Sequence, residues 1–433
     1  MTHTGTSRSN TRLVACAGLL IVALLAGGTS RPLNDLAVLL AALPLLYLTL
    51  ATSAKWPLAW TAKLALGLFG VALLQLIPLP PSIWTALPGR ELAAASLVAS
   101  GNELGWRPIA LDPGAAAIGL LTLVAPLVLH IAVTRLDGKS IKRLLALVAG
   151  FALLSAALGI VQRVSGGFSL YATEHAGTAT GMFTNRNHHA DLLIAGMLLT
   201  IALLPTRHFR QYKYIATMGV IFLLFAIIST TSRAGIALSL PAALAALLAI
   251  WRPAKKWWAG LVLAGILGSV AILFIPAFSD IFERFGIAPD DQRLTMARDS
   301  IAATRAMWPF GSGYGSFVPV YMAYEDLDLL ETRYVVAAHN DYLQLALEGG
   351  VAGVITAVAA LVALALLAWN LLQVRADRLA WAAWGVAAVL LAHSALDFPL
   401  RTGTLAMLLA LCTAAAQKLP TELRNARRNG SYR

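Results

Sequence analysis

Three short segments of the chain combine imidazole, guanidinium and amide side chains in ways that could support chemistry on an anionic substrate. His339 lies in the sequence Ala-His-Asn-Asp-Tyr-Leu-Gln, and imidazole is the side chain best suited to proton transfer near neutral pH. Arg186 lies in Phe-Thr-Asn-Arg-Asn-His-His, and Arg233 ends Ser-Thr-Thr-Ser-Arg. Because a guanidinium binds phosphate oxygens in pairs, these residues predict one catalytic base and two catalytic cations that stabilise negative charge.

The residues around Arg186 suggest an anion site at the start of a helix. Asn185 or Asn187 can cap this helix, whose positive end favours an anion. His188 and His189 follow in its first turn, below the expected membrane surface, where ionisable groups mark a functional site by default. We therefore predict that Asn187, His188 and His189 bind substrate. The alternatives are that the arginine anchors lipid headgroups and that the histidines are buried and neutral.

The residues after His339 predict a second helix start. Asn340 can cap it, and Tyr342 lies three residues from His339, on the same helix face. We predict that Asn340 and Tyr342 bind substrate. Gly349-Gly350 is expected to break or bend this helix before its apolar part begins.

A fourth polar segment, His-Ser-Ala-Leu-Asp-Phe-Pro-Leu-Arg, runs from His393 to Arg401. Asp397 and Arg401 are four residues apart, but Pro399 interrupts any helix between them, so we predict an ion pair that holds the turn. The chain contains no nucleotide-binding or zinc-ligand motif, and we expect neither a metal nor a cofactor.

The composition requires a membrane. Of 433 residues, 58% are hydrophobic and 12% are charged, too few for a soluble fold of this length. Long apolar windows rich in Leu and Ala predict transmembrane helices rather than barrel strands. We count twelve, at about 13–30, 33–52, 57–77, 114–134, 144–163, 188–206, 213–231, 234–251, 257–277, 350–370, 379–395 and 402–418.

Charge in the loops predicts the orientation. With a cytoplasmic N-terminus, the inside loops hold 20 basic residues and three acids, whereas the outside segments hold 12 Arg, no Lys and 18 acids. This positive-inside pattern places both termini in the cytoplasm and the polar helix starts on the opposite, periplasmic face. The net charge of +12 therefore reflects topology and a basic tail that can lie on membrane lipids, so we expect no nucleic-acid partner.

Two outside segments are longer than simple connectors. Residues 1–277 are predicted to contain nine spans with a loop at about 78–113, residues 278–349 to form the large periplasmic loop, and residues 350–433 to contain three spans and the basic tail. Within the large loop, residues 290–308 suit an amphipathic helix. Its apolar face is predicted to comprise Leu294, Ala297, Ile301 and Met307. Its cations are Arg293, Arg298 and Arg305, which are predicted to hold acceptor phosphates, the alternative being a solvated helix face.

The chain resembles the O-antigen ligase and polymerase superfamily of bacterial envelope enzymes. The pieces that carry the resemblance are Phe183-Thr-Asn-Arg-Asn-His-His189, Thr231-Ser-Arg-Ala-Gly235, Trp308-Pro-Phe-Gly-Ser-Gly-Tyr-Gly315, Ala338-His-Asn-Asp-Tyr-Leu-Gln344 with Glu348-Gly-Gly350, and His393-Ser-Ala-Leu-Asp-Phe398. They span about half the chain, from the sixth window onward. The His-Asn-Asp-Tyr-Leu-Gln block is the most specific piece, whereas the Ser-Arg turn is weak alone.

The resemblance implies an all-helical, GT-C-like glycosyltransferase of the inner membrane with a large periplasmic loop. Such enzymes transfer a glycan from an undecaprenyl-diphosphate carrier, without a nucleotide sugar, and ligases use lipid A–core oligosaccharide as the acceptor. In this scheme His339 activates the acceptor hydroxyl. Arg186 and Arg233 stabilise the leaving diphosphate, and one displacement inverts the anomeric centre without a metal.

Two other functions remain open at this stage. A polymerase, or a protein O-oligosaccharyltransferase of the same superfamily, would use the same donor with another acceptor. The joint occurrence of the two histidine-containing blocks with one dominant late loop favours the ligase. A transporter of lipid-linked solutes would place its ionisable residues near mid-membrane, whereas here they are predicted at helix ends.

Overall fold

The computed structural model describes residues 3–29, 31–52, 58–166, 168, 170–171, 178–204, 209–251, 258–274, 292–326 and 335–428. Within these ranges the regular structure is helical. An isolated antiparallel bridge joins Leu79 to Arg107. The all-α prediction is therefore confirmed.

The described ranges contain sixteen α-helices and a short 3-10 helix, Pro399–Arg401. The α-helices are α1 (His3–Ala26), α2 (Pro32–Thr52), α3 (Trp60–Leu74), α4 (Pro81–Trp84), α5 (Glu91–Ala99), α6 (Pro113–Val133), α7 (Gly138–Ser165), α8 (Arg186–Leu203), α9 (Phe209–Ser229), α10 (Arg233–Trp251), α11 (Trp258–Phe274), α12 (Gln292–Ala306), α13 (Phe317–Tyr324), α14 (Asp341–Val374), α15 (Arg378–His393) and α16 (Gly403–Arg428).

The twelve apolar windows coincide with twelve of these helices, namely α1–α3, α6–α11 and α14–α16. Among the described residues, eight helices are long and apolar enough to cross a membrane, and α3, α11 and α15 contain shorter apolar stretches. The polytopic architecture predicted from hydropathy is confirmed in this respect. The remaining window corresponds to α8, whose first turn is polar because it begins with Arg-Asn-His-His.

Helix α8 lies at the centre of the bundle, between two clusters of buried apolar side chains. One cluster packs α8 with α1, α2, α6, α7, α15 and α16, and the other packs it with α9 and α10. Burial of α8 begins with Asn187 in the first turn. Because other helices enclose this turn, its polar side chains must find partners inside the protein.

Helices α12 and α13 pack on the first turns of α14. Their shared cluster of buried apolar side chains comprises Met296, Ala303, Met307, Phe317, Val320, Tyr321, Ala338 and Leu347. The cluster joins part of the predicted large loop to the start of α14. Residues 278–291 and 327–334 of that loop lie outside the described residues.

The prediction of which face of α12 is buried is wrong. Met307 is buried as expected, but Leu294 is 70% exposed and Ile301 is 40% exposed. The buried side instead carries Met296 and Ala303, because this side of the helix rests on α13 and α14. Several helix faces were apolar enough to be buried, and only the tertiary contacts decide between them.

Arg90 connects the loop at 78–113 to the turn after α12. Its buried guanidinium donates hydrogen bonds to the carbonyl oxygens of Ile109 at 2.7 Å and Gly311 at 2.8 Å. Burial lowers the pKa of Arg90 to about 10, against the opposing charge of Glu91, so the side chain remains protonated near neutral pH. The two segments predicted to lie outside the membrane are therefore attached to each other.

Candidate functional site

The polar segments singled out from the sequence meet at one end of the helix bundle. At this end, called the site end here, α8, α10 and α14 begin and α15 finishes. The Asn185 side chain caps α8 by accepting a hydrogen bond from the amide of Asn187, and Asn340 caps α14 through the amide of Leu343. Both predicted caps are confirmed, and they orient two helix starts towards the same region.

His339 and Asp397 form the centre of the site. The Nδ1 atom of His339 lies 3.0 Å from Oδ1 of Asp397, and the Asn187 side-chain amide donates a hydrogen bond to Oδ2 at 2.5 Å. The Asp397 side chain is fully buried, whereas that of His339 is 25% exposed. We call Asn187, Asp397 and His339 the Asp397 array. It joins three separate segments of the chain around one carboxylate.

The surroundings of Asp397 favour its ionised form. Burial alone would raise the pKa of this carboxyl, but the hydrogen bond from His339 opposes that effect. The electrostatic influence of the neighbouring His188, His339 and Arg293 side chains acts in the same direction as the hydrogen bond. Together they hold the pKa of Asp397 well below its usual range.

The charge on Asp397 determines the tautomer of His339. An ionised carboxylate can only accept hydrogen bonds, so we assign the hydrogen of the neutral ring to Nδ1. Nε2 is then left with a lone pair. Such an imidazole can accept a proton from a hydroxyl group, and the resulting imidazolium remains beside a negative charge.

Phe398 lies between two imidazoles of the site. Its ring contacts His339 edge-to-face at a centroid distance of 4.9 Å and His188 edge-to-face at 5.3 Å. His188 is buried and lies near Asp397. The structure thus brings His188 to the inner side of the Asp397 array, where it contributes to the electrostatics.

Arg186 and Arg233 flank the turn between α9 and α10. The Nη1 atom of Arg186 donates a hydrogen bond to the Thr231 hydroxyl at 2.8 Å, and Arg233 begins α10 two residues later. Both arginines are half-buried. Arg186 also directly precedes Asn187, a member of the Asp397 array, in the sequence. Stabilisation of a leaving diphosphate by Arg186 and Arg233 stays a prediction.

Two residues of the site have left-handed backbone conformations that favour glycine. Thr231 has φ 56° and His339 has φ 48°. Such conformations cost free energy for a β-branched or bulky side chain and tend to occur at functional sites. Here they accompany the hydroxyl that accepts from Arg186 and the imidazole that contacts Asp397.

The three arginines predicted on the helix of the large loop fall into two groups. Arg293 reaches the site end, where its Nη1 atom donates a hydrogen bond to the Leu396 carbonyl oxygen at 2.7 Å. Arg298 and Arg305 are exposed on the side of α12 that faces away from its buried cluster. Arg293 therefore belongs to the surroundings of Asp397, whereas the other two do not contact the array.

Three other residues predicted to bind substrate have contacts within the protein. His189 is fully buried, and its Nδ1 atom lies 2.8 Å from the Ala179 carbonyl oxygen. The Tyr342 hydroxyl donates to the Leu391 carbonyl oxygen at 2.6 Å, and the Asn340 amide donates to that of Ala395 at 3.1 Å. These contacts favour a role in holding α8 and α14 in place, and substrate binding by these residues stays a prediction.

The predicted ion pair between Asp397 and Arg401 is wrong. Arg401 instead lies 3.1 Å from Glu348 and 3.5 Å from Asp341, both on α14, because Asp397 turns towards His339. Helix α14 bends at Gly350, which has φ 55° and ψ −135°, and this confirms the expected break. Arg401 therefore ties the first turns of α14 to the segment before α16.

The role of Asp397 as the partner of His339 was missed. The two residues are 58 positions apart, and no sequence spacing links them. The available signal is the polar block from His393 to Arg401, for which the four-residue spacing predicts an ion pair that holds the turn. A buried carboxylate in such a block needs a cationic or hydrogen-bonded partner, and the neighbouring arginine was the wrong choice.

The arrangement is suited to proton abstraction beside developing negative charge. It combines an imidazole oriented by a carboxylate with guanidinium groups and capped helix starts. Among the described residues, no group of three or more His, Cys, Asp or Glu side chains could hold a metal ion. The expectation of a metal-free reaction stays a prediction.

Comparison with known families agrees with the sequence motifs. Residues 218–358 match a family model described as O-antigen ligase. This segment is about a third of the chain and includes Arg233, His339 and the start of α14. The match supports the O-antigen ligase superfamily. No curated protein gives a significant match to the chain.

Proposed function

We propose that this protein is a member of the O-antigen ligase superfamily and transfers a glycan from undecaprenyl diphosphate to the lipid A–core oligosaccharide. The observation that supports this most directly is the contact between His339 and Asp397, at one end of a helix bundle suited to a membrane. Asn187, which also contacts Asp397, directly follows Arg186 in the sequence. A general base next to guanidinium groups is what the attack of a sugar hydroxyl on a diphosphate-linked sugar requires.

In this reaction His339 is the general base. Its Nε2 atom accepts the proton of the acceptor hydroxyl while that oxygen attacks the anomeric carbon of the donor. Asp397 holds the ring in the required tautomer and stabilises the imidazolium that forms, and Asn187 holds Asp397 in turn. The attack displaces the diphosphate from the opposite face, so the anomeric centre inverts.

Arg186 and Arg233 stabilise the departing undecaprenyl diphosphate. Its negative charge increases as the bond to the sugar breaks, and a preorganised cation lowers the free energy of that transition state. The Thr231 hydroxyl holds Arg186 in place before the donor arrives. Because a diphosphate already leaves readily, the mechanism needs no separate acid and no metal. The exposed Arg298 and Arg305 are available for acceptor phosphates.

We place the protein in the bacterial inner membrane with both termini in the cytoplasm and the site end in the periplasm. The positive-inside pattern supports this orientation. In the same arrangement residues 1–277 contain nine spans, residues 278–349 the periplasmic loop, and residues 350–433 three spans and the tail. Single cysteines replacing Arg298 and Lys139 would be labelled by an impermeant maleimide from the periplasm only at position 298.

Reconstitution of the purified protein tests the reaction. Undecaprenyl-diphosphate glycan is supplied with and without lipid A–core, and the products are separated by size. Glycan attached to lipid A–core supports the ligase, whereas longer carrier-linked chains would identify a polymerase. Glycan on an added acceptor protein would identify an oligosaccharyltransferase, and carrier movement without covalent transfer would identify a transporter. Adding EDTA to the same reaction is expected to leave the rate unchanged.

A further inference from the structure

A second carboxylate–imidazole pair lies one helical turn beyond the Asp397 array, deeper in the bundle. The Nδ1 atom of His393 is 2.7 Å from Oδ1 of Asp191, and both side chains are fully buried. Asp191 follows Asn187 by four residues on α8, and His393 precedes Asp397 by four. The two pairs therefore connect the same two segments at two successive levels.

The stability of the bundle does not explain this pair. Within the described part of the chain, Nε2 of His393 and Oδ2 of Asp191 have no hydrogen-bond partner. Ionisable groups buried in a membrane protein are costly, and two apolar side chains of similar volume would fill the space without that cost. A buried pair of this kind is better explained by fixing the relative position of the two helices than by a contribution to the stability of the fold.

The Asp191–His393 pair is linked to Asp397 through the backbone. The amide of Asp397 donates a hydrogen bond to the His393 carbonyl oxygen at 2.9 Å, so the two residues move together. On α8, Asn187 and Asp191 lie on the same face, one turn apart. A displacement of α8 along α15 would therefore break the pair and would also change the contact between Asn187 and Asp397.

We infer that Asp191 and His393 are positioning residues, which set the register of α8 against α15 and thereby hold Asp397 at the correct distance from His339. The inference builds on the proposed transfer reaction. Apolar helix faces can slide past one another, whereas a single directional hydrogen bond between a carboxylate and a ring nitrogen is satisfied in one register only. The pair does not need to contact the substrate to affect the rate.

Leucine substitutions of the full-length protein in lipid nanodiscs separate positioning from stability. Asp191→Leu and His393→Leu each leave one buried polar partner, and the double variant leaves none. We expect the double variant to fold at least as well as the unmodified protein. We expect its kcat for glycan transfer to fall about 100-fold, the loss that an ångström-scale misplacement causes, with KM for the donor little changed. Asp191→Asn, which retains a hydrogen-bond acceptor, should keep most of the activity.

His130→Leu is the matched control. His130 is also a buried imidazole that bonds across helices, to the Thr61 hydroxyl at 2.7 Å, but it lies at the opposite end of the bundle. Its kcat per folded molecule should be unchanged. If the Asp191/His393 double leucine variant is well folded and retains normal kcat, or loses activity only in proportion to folded protein, the positioning role is wrong.

A chemical readout keeps this inference separate from the proposed function. Diethyl pyrocarbonate modifies accessible imidazoles, and His339 is partly exposed. Mass spectrometry gives its modification rate without any glycan substrate. A changed rate in the double leucine variant, with no change in His130→Leu, supports positioning even if the unmodified protein transfers no glycan. An unchanged rate in the folded double variant overturns the positioning role.

Discussion

The Nδ1 atom of His339 lies 3.0 Å from Oδ1 of Asp397, which joins the segment before α14 to the segment after α15. The contact places the imidazole of the most specific sequence block beside a buried carboxylate, for which the sequence predicts Arg401 as the partner instead. Because its surroundings favour the ionised form of the carboxylate, the pair has the arrangement in which a carboxylate orients a histidine base.

Asp397→Asn is expected to lower kcat for glycan transfer by about 100-fold or more, within the range seen when general-base catalysis is lost. Asparagine preserves the shape of the side chain but removes the negative charge that sets the His339 tautomer. The measurement is the rate of product formation in nanodiscs, per folded molecule. Asp112→Asn is the control, since Asp112 caps α6 at the site end and asparagine caps equally well. Equal rates for Asp397→Asn and Asp112→Asn would refute the role of Asp397.

Arg186→Gln is expected to reduce kcat by about 100-fold to 1,000-fold, as expected for loss of one preorganised donor to a developing anion. Arg186→Lys should recover only part of this loss. The Arg186 guanidinium donates to Thr231 and, in the proposed mechanism, also to a donor phosphate, and one ammonium cannot reproduce this fork. Steady-state kinetics with varied donor give kcat and KM separately. Arg163→Gln serves as the control, since Arg163 is an exposed arginine at the end of α7. If Arg186→Lys retained full activity, this would argue against simultaneous contacts of the Arg186 guanidinium with Thr231 and a donor phosphate.

The fold could be predicted from the sequence because the membrane imposes simple requirements. Each spanning segment must satisfy its own backbone hydrogen bonds, so long apolar windows translate directly into helices, as they do for α1, α9 and α16. The face of α12 could not be predicted in this way. Its apolar residues surround the helix too broadly, and the contact with α13 and α14 decides which of them are buried.

The candidate site was only partly predictable for a related reason. The caps at Asn185 and Asn340 are local features, and local sequence determines them. The partners of Asp397 and Arg401 are decided by the packing of α8, α14 and α15, which places residues far apart in the sequence side by side. A spacing of four residues favours pairing the two with each other, whereas the packing brings Asp397 to His339 and Arg401 to Glu348.

The low pKa of Asp397 predicts how stability depends on pH. A carboxyl group with a lowered pKa in the folded state contributes stability above its unfolded pKa of about 3.9, and that contribution is lost as the pH falls through the folded pKa. The apparent Tm of the unmodified protein should therefore keep the Asp397 contribution from pH 8 to about pH 5 and lose it at lower pH. Asp397→Asn should lack this part of the acid-induced decrease. Parallel Tm curves for the two proteins below pH 5 would contradict the prediction.

The two partners of the ion pair between Arg401 and Glu348 differ in burial, so removing the cation alone is expected to be costly. Glu348 is 1% exposed and also accepts hydrogen bonds from Gln344 and the amide of Phe317, whereas a third of the Arg401 side chain is exposed. Arg401→Met leaves a buried charge without its cation. We expect this substitution to lower the free energy of unfolding by about 2 kcal/mol, between the values for breaking an exposed ion pair and a fully buried one.

Adding Glu348→Gln to Arg401→Met should recover part of the lost stability, because the amide keeps hydrogen-bonding groups and removes the buried charge. Recovery is expected to be incomplete, since Asp341 also loses its contact with Arg401. Thermal unfolding in detergent gives the apparent Tm of the single and double variants, with Arg305→Met as an exposed control on α12. If the double variant unfolds at or below the temperature of Arg401→Met, the buried charge of Glu348 is not what makes the single substitution costly.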